Sequence, residues 1–492
     1  MPARWLFADQ LGPHFDTRGR RVLLVESRRA LTRRVYHRQK LHLILSALRH
    51  RAAESDGVTL LQTETYGEAL ARFGAPVRVY EPTSWAADDF VHRLREAGTV
   101  EAVDPTPGFT MPKAEFARWA GDRPRVRMDD FYRLQRRRLD LLMEGDQPVG
   151  GRWSLDHDNR EPPPKGVTTL DVPPPYRPRE DDIDAEVRDD LDRWTRDGTV
   201  RTVGADGPRL FPVTRREALA ALHRFLEHRL GTFGPYEDAM LAGDWAMAHS
   251  LLSVPMNLGL LDPLEVAEAA AAEYRAGRGT LSSVEGFVRQ VIGWREYIWH
   301  NYWHFGRDYR TRNHFRARDP LPAWFADLDA DAVEAHCLRD VLQGVRDRGW
   351  VHHIPRLMVL GNWGAQRGWD PDALAEWFQT RFVDGYDWVM PVNVVGMSQH
   401  ADGGAVATKP YVSGGAYINT MSDYCGGCRY DPRHRLGEDA CPYTAGYWTF
   451  VDRNADRLSG NQRMRQPLLQ RERLADLRQV VRQERQRGDS PP

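Results

Sequence analysis

The chain has 492 residues, is 41% hydrophobic and 28% charged, and carries a formal net charge of -1 at pH 7. It is long enough to bury a large core in two or three domains. No run of about 18 apolar residues is present, so a membrane span is excluded, and the opening "MPARWLFADQLGPHF" lacks the apolar centre of a signal peptide. A reducing, cytoplasmic setting is the default expectation, and there clustered thiols serve metal or redox centres rather than disulfides.

The first part of the chain alternates between two periods. Short apolar or β-branched runs, "RWLFAD", "RVLLVES", "GVTLLQT", "PVRVYEP" and "TVEAVDP", alternate with helical stretches such as "YHRQKLHLILSALRHRAAE". This is βαβ patterning and predicts an α/β domain over residues 1–140 with a parallel, Rossmann-like sheet. Ligands of such sheets lie beyond the strand C-termini, which marks Asp9, Gln10, Glu26 and Glu81. No GxGxxG or phosphate loop occurs, so an ordinary dinucleotide or ATP site has no support.

Residues 141–212 read as a long, partly extended connector, because the repeated prolines of "EPPPKG" and "DVPPPYRPRE" remove backbone donors and stop helices. "WSLDHDNR" is too aromatic for a plain linker and is expected to pack on the second domain. From residue 213 the apolar residues recur at three and four, which predicts an all-α domain over 213–492. The charged tail from about Arg463 reads as a solvated amphipathic helix.

Four constellations carry chemistry. Cys425 and Cys428 form a C-x2-C pair around Gly426 and Gly427, with Cys441 close downstream and Cys337 alone far upstream. Four thiolates suit tetrahedral zinc or an iron-sulfur cluster equally well. His352 and His353 are neighbours on a helical segment and point about 100° apart; one packed and one exposed histidine is the plain reading, a proton donor the functional one. Ser250 and Ser253 precede a helix, where they serve as caps or, with free amides, as a phosphate site; Tyr236 sits in a glycine-rich turn. The 16 tryptophans are core by default. Arginine outnumbers lysine overwhelmingly, with lysine only at Lys40, Lys113, Lys165 and Lys409. GC-rich coding explains that bias more plainly than bidentate phosphate contacts do, and a neutral chain neither shows nor excludes nucleic-acid binding.

These stretches together resemble the photolyase and cryptochrome flavoproteins. "HSLLSVPMNLGLL" is similar to the family's flavin-phosphate segment, "VRQVIGWREY" to its tryptophan-bearing helix, and "FVDGYDWVMPVNVVGM" to its flavin loop. "HHIPRLMVLGN", "GMSQHADGG" and "KPYVSGGAYINTMSDYC" resemble the bacterial iron-sulfur branch, the prokaryotic (6-4) photolyases. The resemblance implies a [4Fe-4S] cluster on Cys337, Cys425, Cys428 and Cys441. It also implies FAD touched by Tyr236, Ser250, Leu252, Ser253, Trp294, Asp384 or Asp387, and Asn393, and a 6,7-dimethyl-8-ribityllumazine antenna in the first domain. His353, supported by His352, would be the lesion-facing proton donor for light-driven repair of (6-4) photoproducts in UV-damaged DNA by a monomeric enzyme. A photoreceptor with the same cofactors is the alternative, and a zinc-binding nucleic-acid module the rival of another class. Leu357 stands where animal-type enzymes have a second histidine, and Met397 where other photolyases have a flavin-proximal tryptophan. Trp377 and Tyr417 are therefore the electron-transfer candidates.

Overall fold

The computed structural model describes residues 2–123 and 125–492. All five apolar runs become strands: β1 Ala3–Trp5, β2 Val22–Ser27, β3 Val58–Thr63, β4 Val77–Tyr80 and β5 Val100–Asp104. They form one parallel sheet with β1 at its centre, β2 then β3 on one side, β4 then β5 on the other. Every residue of β2 is buried, as expected of a strand covered on both faces. Trp5, Leu23, Val25, Val77 and Val79 pack on one face against Leu70 and Phe73. On the other, Val22 and Leu24 meet Leu43, Ala47 and Leu48 of helix α1, Arg38–Ala53. That second cluster runs on without a break into Leu222, Phe225 and Val266 of the helical half, so sheet and helices share one core.

The connector departs from the extended expectation. Asp182–Arg196 forms a helix, α2, opened by a capping box in which Asp181 and Asp184 satisfy each other's backbone amides. Its Val187 and Leu191 pack on Leu41 and Leu45 of α1. The run "DVPPPYRPRE" has its last proline at Pro178, and the acidic residues that follow favour a helix start. Downstream, Arg209 is buried between two carboxylates, with Nε and Nη2 donating to Asp184 at 2.9 and 3.1 Å and Nη1 to Glu217 at 2.8 Å. "WSLDHDNR" packs on the helical half as expected: Leu155 N donates to Glu285 and Asn159 Nδ2 to Ser282 O.

The helical half contains α3 Glu296–His304, α4 His336–Arg348, α5 Pro371–Arg381, α6 Pro442–Arg453 and α7 Leu477–Arg487. Three segments, Arg289–Arg295, Pro355–Gly361 and Val392–Ser398, widen to π-type turns, a form often found at functional sites. The tail is not simply solvated. Val480 and Glu484 of α7 are buried, Glu484 pairs with Arg367, and Gln483 brackets Gly437 through both halves of its amide at 3.0 and 3.1 Å.

The sheet domain is bolted to the helices by one of the four lysines. Lys40 Nζ, fully enclosed, donates to the carbonyls of Gln379 at 2.8 Å, Phe382 at 3.1 Å and Gly385, just past the C-terminus of α5. The negative end of a helix dipole favours a cation there, while burial pulls Lys40 down to about 7 and the nearby Asp384 partly offsets it. Replacing Lys40 with methionine leaves three carbonyls unpaired and is expected to destabilise the protein by about 1–3 kcal/mol; an unchanged thermal midpoint would rule out this role. For Asp184, burial favours the neutral acid, yet His50 and Arg209 overcome it and hold the carboxyl well below its usual range. The stabilisation is thus present above the unfolded value of about 4 and lost as pH falls below it. Asp184→Asn should cost stability at pH 7, with the urea midpoints of variant and parent converging towards pH 3.5; a gap independent of pH would refute the linkage.

Candidate functional site

The second π-type segment, the helix start at Ser253 and the loop after α5 meet at Asp384. Its carboxylate accepts two hydrogen bonds from Arg356, at 2.9 and 3.1 Å, and one from Ser253 Oγ at 2.8 Å. Asn257 Nδ2 donates to its backbone carbonyl at 3.2 Å. Arg356 comes from the second π segment and also lies over the Phe382 ring, 4.3 Å from its centroid. From the first and third π segments, Trp294 Nε1 donates to Asn393 Oδ1 at 3.0 Å, and Asn393 Nδ2 donates to Val389 O. Asp384 with Ser253 and Trp294 with Asn393 thus form two pairs.

The chain before Ser253 is strained. Met247 and Leu251 have φ of 46° and 60°, a region costly for side chains with a Cβ. Arg229, buried, holds this stretch by donating to the carbonyls of His249, Ala246 and Met247. Ser250 Oγ accepts from Leu252 N at 3.3 Å and Leu252 is wholly buried. Tyr236 packs beside Ala239, Leu241 and Met247. Asp387, three residues beyond Asp384, turns to a different network, accepting from Tyr302 Oη at 2.5 Å with Arg310 at 3.6 Å.

The histidines form a cluster of three. The rings of His249 and His352 stack with centroids 4.3 Å apart at 22°, and His353 stands edge-on to His249 at 5.4 Å. His249 and His352 are buried, and burial, then the charges of neighbouring histidines and Arg356, pushes both well below the usual imidazole range. His353 is 49% exposed, its Nε2 3.5 Å from Asp238 Oδ1. The neighbouring Glu237 is pushed up to about 7 by burial, against the pull of Arg289.

Trp377 is buried, donates from Nε1 to Phe325 O at 3.2 Å, and reaches Asp384 through Phe382, 6.0 Å away. Tyr417 lies elsewhere, among Asp238, Arg160 and Tyr411 on the His353 side. The two candidates are not brought together. In the sheet domain, Asp9 accepts from Thr83 Oγ1, Gln10 Nε2 donates to Glu81 O, and Glu81 accepts from Thr106 N and pairs with Lys113 at 3.2 Å. Glu26 is instead spent on Arg49, at 2.8 and 3.0 Å.

All four cysteines are reduced. Cys337 is in the first turn of α4, Cys441 immediately precedes α6, Cys425 lies within the tight turn Tyr424–Gly427 and Cys428 directly follows it. The sulfurs share one space: burial, then the other three thiols, drives Cys337 well above its usual range, and burial with Cys441 and Cys428 pushes Cys425 up to about 12. A Cβ on Gly415 would lie 2.7 Å from Cys441 Sγ, so only glycine fits behind that thiol.

Sequence reasoning missed Arg356, Asp238, His249 and Lys40. Arg356 follows His352 by one helical turn, a spacing that puts both on one face; the others carry no local signal.

A family model described as deoxyribodipyrimidine photo-lyase-related protein matches residues 4–202. A (6-4) photolyase of Agrobacterium fabrum is 38% identical over 488 residues, 94% of each chain. The fold is similar to that of a bacterial class III photolyase from Agrobacterium tumefaciens, with a TM-score of 0.59 and 16% identity over 93% of this chain and 98% of that one. It is also similar to that of a Synechocystis cryptochrome, with a TM-score of 0.56 and 14% identity over 99% of both. Identity at this level over nearly the full length of both proteins means that the chain belongs to the photolyase and cryptochrome family.

Proposed function

We propose that this protein is a light-dependent (6-4) photolyase that repairs (6-4) pyrimidine photoproducts in UV-damaged DNA. The observation that carries the reading is His353, half exposed beside Asp238 while His249 and His352 are sealed behind it. It is the one imidazole of the cluster that a base flipped out of a duplex can reach, and flipping is least costly at a damaged pair. Near-full-length identity to a (6-4) photolyase supports the same assignment.

Family membership implies FAD, and the residues fit it. The strained turn at Met247–Leu251 leaves backbone amides and the hydroxyl of Ser250 for phosphates, beside the apolar Leu252 and the turn holding Tyr236, while the Ser253 hydroxyl donates to Asp384 at the edge of the same site. Asp384, fixed by Arg356 and Ser253, and Asn393, fixed by Trp294, are polar groups held still for a ring system. Asp387 is the weaker of the two aspartates for this role because Tyr302 and Arg310 engage it. When bound, reduced FAD supplies a photoexcited electron to the lesion. The protein's own part is to hold the flipped base, exclude water and deliver a proton: His353 protonates the hydroxyl that returns to the 5' base, Asp238 steadies the ring, and His352, kept neutral by burial, supports it from behind. Trp377 serves electron resupply through Phe382, and Tyr417, next to Asp238, is the second redox candidate on the lesion side.

Four thiols that share one space, with only a glycine behind Cys441, suit a [4Fe-4S] cluster on Cys337, Cys425, Cys428 and Cys441, the centre that the resemblance to the iron-sulfur branch implies. Asp9, Gln10 and Glu81, gathered beyond the strand ends, suit a ribityllumazine antenna; Glu26, occupied by Arg49, is not expected to contribute. The reading divides the chain into an antenna domain at 1–140, a connector at 141–212 and a catalytic domain at 213–492, acting as a monomer in the cytoplasm.

Illuminating the reduced, flavin-loaded protein with an oligonucleotide bearing one (6-4) lesion is expected to restore the two pyrimidines; a protein that leaves the lesion intact is not a repair enzyme. His353→Ala should lower repair by about 10²–10⁴-fold, the range of a lost general acid, with flavin absorbance unchanged. Cys337→Ser should abolish iron incorporation and lower the melting temperature, because ligation free energy is folding free energy. A variant still holding four irons and their sulfide would refute the ligand set.

A further inference from the structure

Two groups of side chains outside the cysteine loop bring three metal-ligating atoms within 4.8 Å of one another: His50, Asp181 and Asp184, and His249, His352 and His353. The first is occupied by protein, since Asp184 is wholly buried against the Arg209 guanidinium at 2.9 Å, which leaves a cation there facing a fixed positive charge. The second has no such plug.

We infer that His249, His352 and His353 form a three-imidazole site for a transition-metal dication of the zinc class. Two observations point to a ligand rather than to packing. His249 Nε2 and His352 Nδ1 are both buried without any hydrogen-bond partner, on side chains more than nine-tenths buried, and an unpaired buried nitrogen costs about 1–3 kcal/mol. The rings are also fixed before any ion arrives. His249 sits between the left-handed Met247 and Leu251, with its carbonyl taken by Arg229 at 3.2 Å, and His352 is stacked on it.

The chemistry of the donor set chooses the ion. Neutral imidazoles suit zinc, cobalt, nickel and copper, whereas magnesium and calcium demand oxygen ligands. Zinc-nitrogen bonds of 2.0–2.1 Å place two ligands of a tetrahedron about 3.4 Å apart. Nitrogens already within 4.8 Å converge to that separation by small ring rotations, and the exposed His353 is free to make most of the movement. Its exposure also gives the ion a way in and leaves a fourth position open to water. Asp238, 3.5 Å from His353 Nε2, supplies the carboxylate that orients a ligating histidine. Two guanidiniums bear on the cluster: Arg356 is neutralised by its two bonds to Asp384, and Arg229 is turned to main-chain carbonyls, including that of His249.

An ion at this site occupies the lone pair of His353, the exposed imidazole of the cluster. Metal binding itself is independent of the proposed repair activity; its consequence, inhibition of repair by zinc, rests on that reading. Titrating zinc chloride into the flavin-loaded, cluster-loaded protein by calorimetry is expected to reveal one equivalent, unaffected by millimolar magnesium. X-ray absorption at the zinc edge should show nitrogen at about 2.0–2.1 Å rather than sulfur at about 2.3 Å. His353→Ala, at an exposed position, and His249→Phe, which keeps a stacked ring, should each weaken that equivalent at least tenfold. Absence of the equivalent, a sulfur shell, or an affinity unchanged in both variants would overturn the site. Repair is read in parallel: zinc bound with nitrogen ligands but repair undiminished would sink the proton-donor role of His353 and leave the metal site standing.

Discussion

The buried pairing of Asp384 with Arg356 is the constraint on which the site depends. Taking a carboxylate and a guanidinium out of water is costly, and removing one partner of such a pair typically costs about 3–5 kcal/mol because the other charge is left unpaired. Here the pair is fully used: Ser253 donates the third bond to the carboxylate, and Asn257 fixes the backbone carbonyl. Those four residues come from three separate stretches of chain. The ion pair therefore ties the strained turn at Met247–Leu251, the π segment after the histidines and the loop after α5 into one frame. Lys40 then ties that frame to the sheet domain, because its three carbonyl acceptors end at Gly385, next to Asp384.

That arrangement explains why the loop at 382–388 faces two ways. Asp384 turns inward to Arg356, whereas Tyr386 packs under Lys40 Nζ at 5.2 Å from its ring centroid and lies close enough to Asp9 for that charge to act on it. One short, pinned loop separates the gathered residues at the strand ends from the Asp384 site. Any excitation or charge passed between two such centres depends on their distance and orientation, and a loop clamped from both sides keeps both constant.

Legibility from sequence followed the range of the interactions. The five strands were readable because each is a short apolar run bounded by turn residues, and each satisfies its pattern within six residues or fewer. Helix α2 was hidden because the prolines around it dominate the composition, although its Asp181 to Asp184 capping box is a local signal. Cys425, Cys428 and Cys441 were visible by spacing; Cys337, far upstream, was joined to them as the one remaining thiol and by resemblance, and it shares their space in the fold. His352 and His353 were legible as neighbours, but His249 was not, since nothing in "MAHSLL" says that its ring will stack on His352. Asp387 and Glu26 show the opposite case: each has a suitable residue type at a suitable loop or strand end, and its partner, Tyr302 or Arg49, is distant in sequence and carries no local signal.

The tail makes the same point for the thiols. Composition alone assigns α7 a solvated face, yet Glu484 is buried against Arg367 and Gln483 closes on Gly437, in the loop between Cys428 and Cys441. Arg367 also donates to Pro442 O, one residue beyond Cys441. The cysteine loop is thus pressed from outside by α7 and held from inside by α4, which carries Cys337. A loop with two adjacent glycines at its apex has little conformational preference of its own, so the ordering of its cysteines must come from these flanking contacts.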